Sequence, residues 1–517
     1  MTTRPTLLHE LLVADRIDPE AEAVTDGRHT LTYGELADRV GRLAPLLRDG
    51  AGIAPGDRVG VHLHRSTAAM VAVHGVLRAG AVVVPLDPDA PPAHLRTLVE
   101  RCTVDTIVTE APAARLEPLV GSGITTAIGG GAVDDLRTLG WDLLDDVEPG
   151  DPAPIRDDAD AYVIWTSGST GRPKGIVHTH RSGRRYAELT VDTYGLTAAD
   201  RIASSAPLHF DQLTFDLYAG PAAGATTVMV PSPVLRFPAS VTQWLTDERI
   251  TAWYSVPSLL IQLLRRGALD ARDLGALRWV LFGGEVFPTG HLAELMDLVP
   301  GARFSNVYGP AEVNQCTFHH LDAPPAPDDV VPIGRAWPDT ELLVVDGEGV
   351  PVADGPGELL VRTVTSMRGY WGDEPATTAA FRSVSGVDGW YATGDLVERR
   401  RDDELVFLGR RDHQVKIRGH RVELEAVEAV LVDEDGVIEA AVVPQRTDDG
   451  DRLVALVVGD VDERALRASV GALLPVYAVP DRVVLVEHLP RTSSAKIDRT
   501  AVAALLEEPT GATLEIR

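Results

Sequence analysis

The chain has 517 residues, 44% of them apolar, a formal charge of −28 and two cysteines. Cys102 and Cys316 alone exclude a disulfide framework and argue against a cysteine-based zinc site. The acid excess argues against broad binding to nucleic acid or to an anionic membrane, both of which select a basic face.

At roughly 150 residues per domain the length allows three to four domains, and a chain of this size buries a large core without staples. The N-terminus carries acids from Glu10 onward and no long apolar run, so no secretion signal is expected. The most apolar stretch, 68–86, is broken by His74 and Arg78 and is too short for a membrane span. A soluble, cytoplasmic protein is expected, with no nucleic acid or membrane among its partners.

In chain order, 67–79 reads as a helix that ends at Gly80, followed by the apolar run 82–84 and the breaker Pro85. Residues 161–165 form a short apolar run that stops at a Ser/Thr/Gly loop, and 178–188 beyond that loop predicts a helix. The runs 226–230, 251–254 and 278–282 are rich in strand formers, with a helical stretch at 258–266 between the last two. Short apolar runs alternating with helices imply βαβ units, parallel sheets and an α/β fold. The stretch 398–411 is charged and hairpin-like, a natural joint. Past it the same grammar repeats on a smaller scale: helix 423–432, strands 437–443 and 452–458, helix 462–474, strand 482–487. A large domain over 1–411 and a small α/β domain over 412–517 are therefore expected. The tail from Glu507 is expected to fray.

The strongest local signal is Thr166-Ser167-Gly168-Ser169-Thr170-Gly171-Arg172-Pro173-Lys174-Gly175. Its glycines let the backbone approach an anion, and its hydroxyls and lysine supply donors to phosphate oxygens. It lacks the Gly-Lys-Ser/Thr of a Walker loop. A plain surface turn is the alternative reading.

This loop resembles the signature of the adenylate-forming enzymes, the family of acyl-CoA ligases, luciferases and the adenylation domains of nonribosomal peptide synthetases. The resemblance runs from about residue 31 to 499, through motifs in the family's order. Leu31-Thr32-Tyr33-Gly34-Glu35-Leu36 comes first, then Leu77-Arg78-Ala79-Gly80 with Pro85-Leu86-Asp87. Tyr308-Gly309-Pro310-Ala311-Glu312, Gly357-Glu358-Leu359 and Tyr391-Ala392-Thr393-Gly394-Asp395 follow. Gly409-Arg410-Arg411-Asp412-His413-Gln414-Val415-Lys416-Ile417-Arg418-Gly419 and Lys496-Ile497-Asp498-Arg499 close the series.

The resemblance implies a large multi-sheet domain, a small mobile domain and a two-step reaction. A carboxylate attacks the α-phosphate of ATP to give an acyl-adenylate and pyrophosphate; a thiol then takes the acyl group and AMP leaves. It implies Glu312 as the Mg²⁺ ligand, Tyr308 stacked on adenine, and Gly283, Gly284 and Glu285 as a wall of the adenine pocket. Asp395 suits the ribose diol, since its two oxygens can accept both hydroxyl protons. Arg410 would hold ribose and α-phosphate, and Asn306, Gly309, Lys174 and Lys416 complete the implied ATP site. Lys496 would bridge the substrate carboxylate and the developing phosphate charge, and Asp412 would be the hinge. Two departures stand out: Ala311 where the family usually has Thr, and Ser494-Ala495 where it has Asn-Gly.

Pro207-Leu208-His209-Phe210-Asp211 resembles the motif of amino-acid-activating members, with Asp211 pairing the substrate ammonium. A helix N-cap is the alternative role for Asp211. By the family pattern the pocket is lined by Asp211, Gln212, Phe215, Tyr254, Leu281, Gly283, Val307, Gln315, Cys316 and Lys496. A small or medium amino acid, polar, cyclic or β-amino, is expected, loaded onto the phosphopantetheine thiol of a separate carrier protein. Gln315 departs from the apolar residue expected for proline. An acyl-CoA ligase and a catalytically silent nucleotide-binding protein remain as alternatives. The stretch 399–421 holds eight basic residues against four acids, a local reversal of the overall charge where the anionic substrates would arrive.

Overall fold

The computed structural model describes residues 6–166, 173–212, 214–353, 355–400, 403–411, 414–447, 450–491, 497 and 499–506. Contacts divide the chain into two compact units: Met1–Pro88, Leu98–Trp165 and Gly175–Arg411, and Asp89–Thr97, Thr166–Lys174 and Asp412–Arg517.

Among the described residues, three sheets build the larger unit. The first has nine strands, in the order Arg335–Ala336, Thr317–Leu321, Arg303–Tyr308, Trp279–Gly283, Ala252–Ser255, Arg201–Ser204, Thr226–Met229, Glu22–Thr25 and Thr30–Thr32. Its pairings from Arg303–Tyr308 to Glu22–Thr25 are parallel, and those toward both edges are antiparallel. The second has eight strands, in the order Gly369–Tyr370, Lys174–Thr179, Asp160–Thr166, Val82–Pro85, Arg58–His62, Thr106–Thr109, Thr126–Ile128 and Arg137–Leu139. The third is antiparallel and links Thr340–Val345, Pro356–Thr363, Val387–Arg399, Phe381–Val384 and Leu405–Arg410.

Local chemistry sets the element ends. Thr32 Oγ1 accepts the Glu35 N–H at 3.2 Å while Glu35 Oε2 accepts the Thr32 N–H at 2.9 Å, a reciprocal cap that starts the helix Tyr33–Pro45. Helices Tyr33–Pro45 and Thr67–Arg78 bury Leu36, Leu43, Met70 and Val73 in one apolar cluster with Val59, Val83 and Tyr162 of the eight-stranded sheet. The expected strands and helices all occur, with ends shifted by a few residues. The region after the phosphate loop differs: the chain enters a strand, Lys174–Thr179, before the helix His180–Tyr194 begins. The apolar run Ile176-Val177 favours a buried strand. The described residues on the two sides of the loop, Thr166 and Lys174, therefore belong to strands.

The smaller unit pairs Gln414–Ile417 with His420–Glu423 in one hairpin and Val437–Thr447, Gly450–Gly459 and Arg482–Leu485 in another sheet. Helices Leu424–Val432 and Glu463–Leu473 close its core through Val427, Leu431, Leu466 and Val470 against Val442 and Ala455. Among the described residues, no helix is long and apolar enough to cross a membrane. Both cysteines are buried free thiols.

One buried acid makes the larger unit's stability sensitive to pH. Asp216 accepts the Ser204 hydroxyl at 2.8 Å, yet burial outweighs that bond and pushes its carboxyl up to about 8 from an ordinary 3.8. Between those values the native state holds a proton that the unfolded chain has released. The Asp216 contribution is thus fully present at low pH and is lost as pH rises through the folded value. An Asp216→Asn variant does not titrate, so its stability relative to wild type is expected to rise by about 1.4 kcal/mol per pH unit between roughly pH 5 and 7. Urea denaturation of both proteins across that range measures the slope; a pH-independent difference would refute it.

Candidate active site

Most of the candidate residues lie at or beyond the carboxyl ends of the parallel strands in the nine-stranded sheet, where open sheets of this type place ligands. Ala252–Ser255 delivers Tyr254, Trp279–Gly283 delivers Leu281 and Gly283, and Arg303–Tyr308 delivers Asn306, Val307 and Tyr308. Gly283 has no space for a side chain: a Cβ there would lie 2.3 Å from the Val307 carbonyl oxygen and 3.1 Å from the Tyr254 hydroxyl. Gly284 leads to Glu285, whose Oε2 accepts the Ser258 N–H at 3.0 Å. Glu285 so serves the start of helix Pro257–Arg266, where the N-cap residue Val256 offers no side-chain acceptor. The Asn306 amide is committed to the Pro332 carbonyl at 2.8 Å.

A second group centres on Asp395. The Tyr308 hydroxyl donates to one carboxylate oxygen and the Arg410 guanidinium to the other. Asp395 and Arg410 face each other in register on paired strands, so the sheet itself fixes the ion pair. The backbone N–H of Asp395 donates to Thr393 Oγ1 at 3.0 Å, and Arg410 Nη2 to the Thr393 carbonyl at 3.3 Å. Asp395 is buried, and the guanidinium beside it offsets the cost of a desolvated carboxylate. Burial raises the Tyr308 phenol well above its ordinary value, which keeps it a donor.

A third group surrounds Glu312, on the 3₁₀ turn Ala311–Val313. Gly309 lets the chain fold back here, since a Cβ would meet the Asn314 carbonyl oxygen at 2.2 Å. Glu312 is buried, and Oε1 accepts the Tyr370 hydroxyl at 2.8 Å. His178 Nε2 lies 2.9 Å from the Ala311 carbonyl, so Nε2 carries the proton and Nδ1 faces Ser182 Oγ at 3.3 Å and Asn314 Nδ2 at 3.4 Å. Burial lowers His178 to about 4, leaving it neutral near pH 7. Asn314 has φ +57°, a region that non-glycine residues avoid. Its amide donates to the Thr365 carbonyl at 3.1 Å and its Oδ1 accepts the Thr214 hydroxyl at 3.4 Å, contacts that offset the strain.

On the substrate side, Phe215 and Tyr254 meet edge to face at 5.6 Å, and Gln212 Nε2 donates to the Tyr254 carbonyl at 2.5 Å. Asp211 lies in the turn before Phe215. Its carbonyl accepts the Thr214 N–H at 3.1 Å and hydroxyl at 2.7 Å, and the N-cap of the turn Phe215–Ala219 is Thr214. After burial, the charge of Asp211 helps to raise the Tyr254 phenol. Leu281, Val307 and Phe215 share one apolar cluster with Tyr186 and Trp337. Cys316 is in a different cluster, with Val313, Ile333 and Leu359, and its thiol, raised by burial, faces the Tyr308 carbonyl at 3.6 Å. Gln315 is buried beside Tyr254.

Thr166 closes the strand Asp160–Thr166 and Lys174 opens the next, while Ser167, Gly168, Ser169, Thr170 and Gly171 lie outside the described residues, as do Asp412 and Lys496. Lys416 stands opposite Arg421 on the hairpin of the smaller unit. The basic stretch around them is largely spoken for: Arg399 pairs Asp403 at 2.5 Å, Arg411 pairs Glu358, and Arg418 pairs Asp481 at 3.2 Å. Tyr370, His178, Asn314 and Tyr186 were not among the sequence candidates. Each acts across at least one chain crossover, and no local motif marks them.

Residues 13–371 match the family of the AMP-binding enzyme, and residues 426–496 match the AMP-binding enzyme C-terminal domain. The chain is 33% identical over 511 residues to an L-proline–[L-prolyl-carrier protein] ligase of Pseudomonas fluorescens, covering 97% of this chain and 99% of that protein. A protein of the same name from Streptomyces coelicolor is 34% identical over 505 residues, 91% of each chain. Among solved structures, the amide bond synthetase McbA of Marinactinospora thermotolerans matches with a TM-score of 0.86 at 26% identity, over 96% of this chain and 99% of that one.

Proposed function

Because the chain belongs to the AMP-binding enzyme family, we propose that it is an amino acid–carrier protein ligase. An amino acid's carboxylate oxygen attacks the α-phosphorus of ATP, the bond to pyrophosphate breaks, and an aminoacyl-adenylate forms. The phosphopantetheine thiol of a carrier protein then loses its proton, attacks the acyl carbon, and AMP leaves. Both steps are governed by positioning and charge.

In this reading Asp395 receives the ribose hydroxyls. A carboxylate offers about four lone-pair positions, and a ribose diol has two protons to donate to such a group. Tyr308 covers the adenine, and the backbone at 283–285 walls its pocket. The loop 166–174 wraps the phosphates, with Lys174 at its end, and Lys496 meets the substrate carboxylate. The smaller unit turns about Asp412 between the two steps, which brings Lys416 into play in the second. Mg²⁺ suits Glu312: the ion takes one or two carboxylates and completes its shell with phosphate oxygens and water. Glu312 Oε1 already accepts the Tyr370 hydroxyl, a neutral donor that leaves the carboxylate its charge. When bound, the ion would offset phosphate charge.

The observation that carries the amino-acid reading is Asp211, whose charge bears on Tyr254 and Tyr186 in the candidate pocket. An acid there asks for a cationic substrate group. ATP–pyrophosphate exchange over a panel of α-, β- and cyclic amino acids tests it. At least one amino acid is expected to drive exchange, and the product to load a phosphopantetheinylated carrier in preference to coenzyme A. Silence across the whole panel would end this reading, and exchange with amine-free carboxylic acids would favour an acyl-CoA ligase.

A further inference from the structure

Gln315 is 7% exposed, and its amide stands against the Tyr254 hydroxyl. Among the described residues, Gln315 Oε1 meets no hydrogen-bond donor. A buried amide oxygen left unanswered is costly, and native folds keep few of them. The neighbouring amide, Gln212, is answered by the Tyr254 carbonyl at 2.5 Å, so the local packing does satisfy such groups where the protein alone must do so.

A second buried polar atom lies in the same cluster. Thr190 lies near the Tyr186 hydroxyl, but no hydrogen bond of good geometry reaches it among the described residues, and the ring is packed flat on Trp337 at 5.6 Å. Tyr254 and Asp211 both act on it electrostatically. The Tyr254 hydroxyl lies 3.1 Å from where a Gly283 Cβ would be, and the Tyr254 ring is braced by Phe215. Aromatic faces, an amide and hydroxyls make up this end, so a second charge on the substrate would find poor compensation there.

We infer that the substrate is a small amino acid whose side chain ends in a neutral hydrogen-bonding group, a hydroxyl or a carboxamide, received by Gln315 with Tyr186 as a second contact. The inference rests on the amino acid–ligase reading and specifies its substrate class. Exchanging the Gln315 amide end for end would present N–H instead of oxygen, and a hydroxyl or carboxamide answers either. Proline, the amino acid named for two relatives, has only methylenes to offer such a group.

Matched pairs test the idea: threonine against valine, asparagine against leucine, serine against alanine, and 4-hydroxyproline against proline, each in pyrophosphate exchange. In the best pair, kcat/KM is expected to favour the polar member by about 100-fold or more. Gln315→Leu is expected to bring that ratio to within about tenfold of unity, and Tyr186→Phe to lower it by a smaller factor, since each deletes one hydrogen bond. The ratio within a pair is the readout, because a folding defect lowers both members alike. The wild-type ratios decide the matter even if a variant fails to fold. Preference for the apolar member in every active pair, or a ratio unmoved in Gln315→Leu, would overturn the inference. No exchange with any amino acid would instead overturn the reading beneath it.

Discussion

With Glu312 replaced by glutamine, amino-acid-dependent pyrophosphate exchange is expected to fall by roughly 10²–10³-fold, the loss that follows when one charge-stabilising group leaves an active site. The substitution keeps shape and keeps an oxygen for the Tyr370 hydroxyl, which now sits 2.8 Å from the carboxylate. The turn itself is held by backbone and neighbours, through His178 on the Ala311 carbonyl at 2.9 Å and the Thr365 hydroxyl on the Val313 carbonyl at 2.8 Å. The fold should therefore survive, and the thermal midpoint should move by only a few degrees. What disappears is the negative charge, and with it the affinity for a divalent cation. The Mg²⁺ concentration that half-saturates exchange should rise sharply. A variant with wild-type rate and wild-type Mg²⁺ dependence would remove Glu312 from the metal role.

Much of the fold was legible because its signals are local. The helix read over 67–79 with its stop at Gly80 occurs as Thr67–Arg78, and the one read over 258–266 occurs as Pro257–Arg266. The charged, hairpin-like stretch 398–411 falls on two paired strands, and their register, which the sequence does not give, sets Asp395 opposite Arg410. Glu358 is another case: it is buried and takes Arg382 at 2.9 Å and Arg411, so one motif acid serves the antiparallel sheet. Other features depended on distance. Tyr370 reaches Glu312 from 58 residues away, and Asn314 reaches the Thr365 carbonyl across 51. Beyond the phosphate loop the helix expected over 178–188 occurs as His180–Tyr194, and the apolar pair Ile176-Val177 ahead of it lies in a strand, Lys174–Thr179, too short to stand out in the sequence. Cys316 follows Gln315 in sequence but packs with Ile333 and Leu359, since adjacent residues in extended chain face opposite sides.

Lys496→Ala is expected to lower exchange by at least roughly 10²-fold while leaving transfer from a chemically supplied aminoacyl-adenylate to the carrier thiol nearly intact. The split follows from the proposed use of one small unit for two tasks, with the lysine needed only while phosphate charge develops. The structure explains why neighbouring motif residues accompany it. Ile497 pairs with Arg491 in an isolated bridge and packs against the cluster of Ala441, Val443 and Leu456. Arg499 donates to Glu428 at 2.7 Å and to the Val442 carbonyl at 3.0 Å. Ile497 and Arg499 are thus tied into the smaller unit's core and to its acids. If Lys496 has the proposed role, Arg499→Met should impair exchange less than Lys496→Ala and should lower the stability of the smaller unit, which Lys496→Ala should not. Equal loss of both half-reactions in Lys496→Ala would show that the lysine serves more than adenylation, and undiminished exchange would remove it from the reaction altogether.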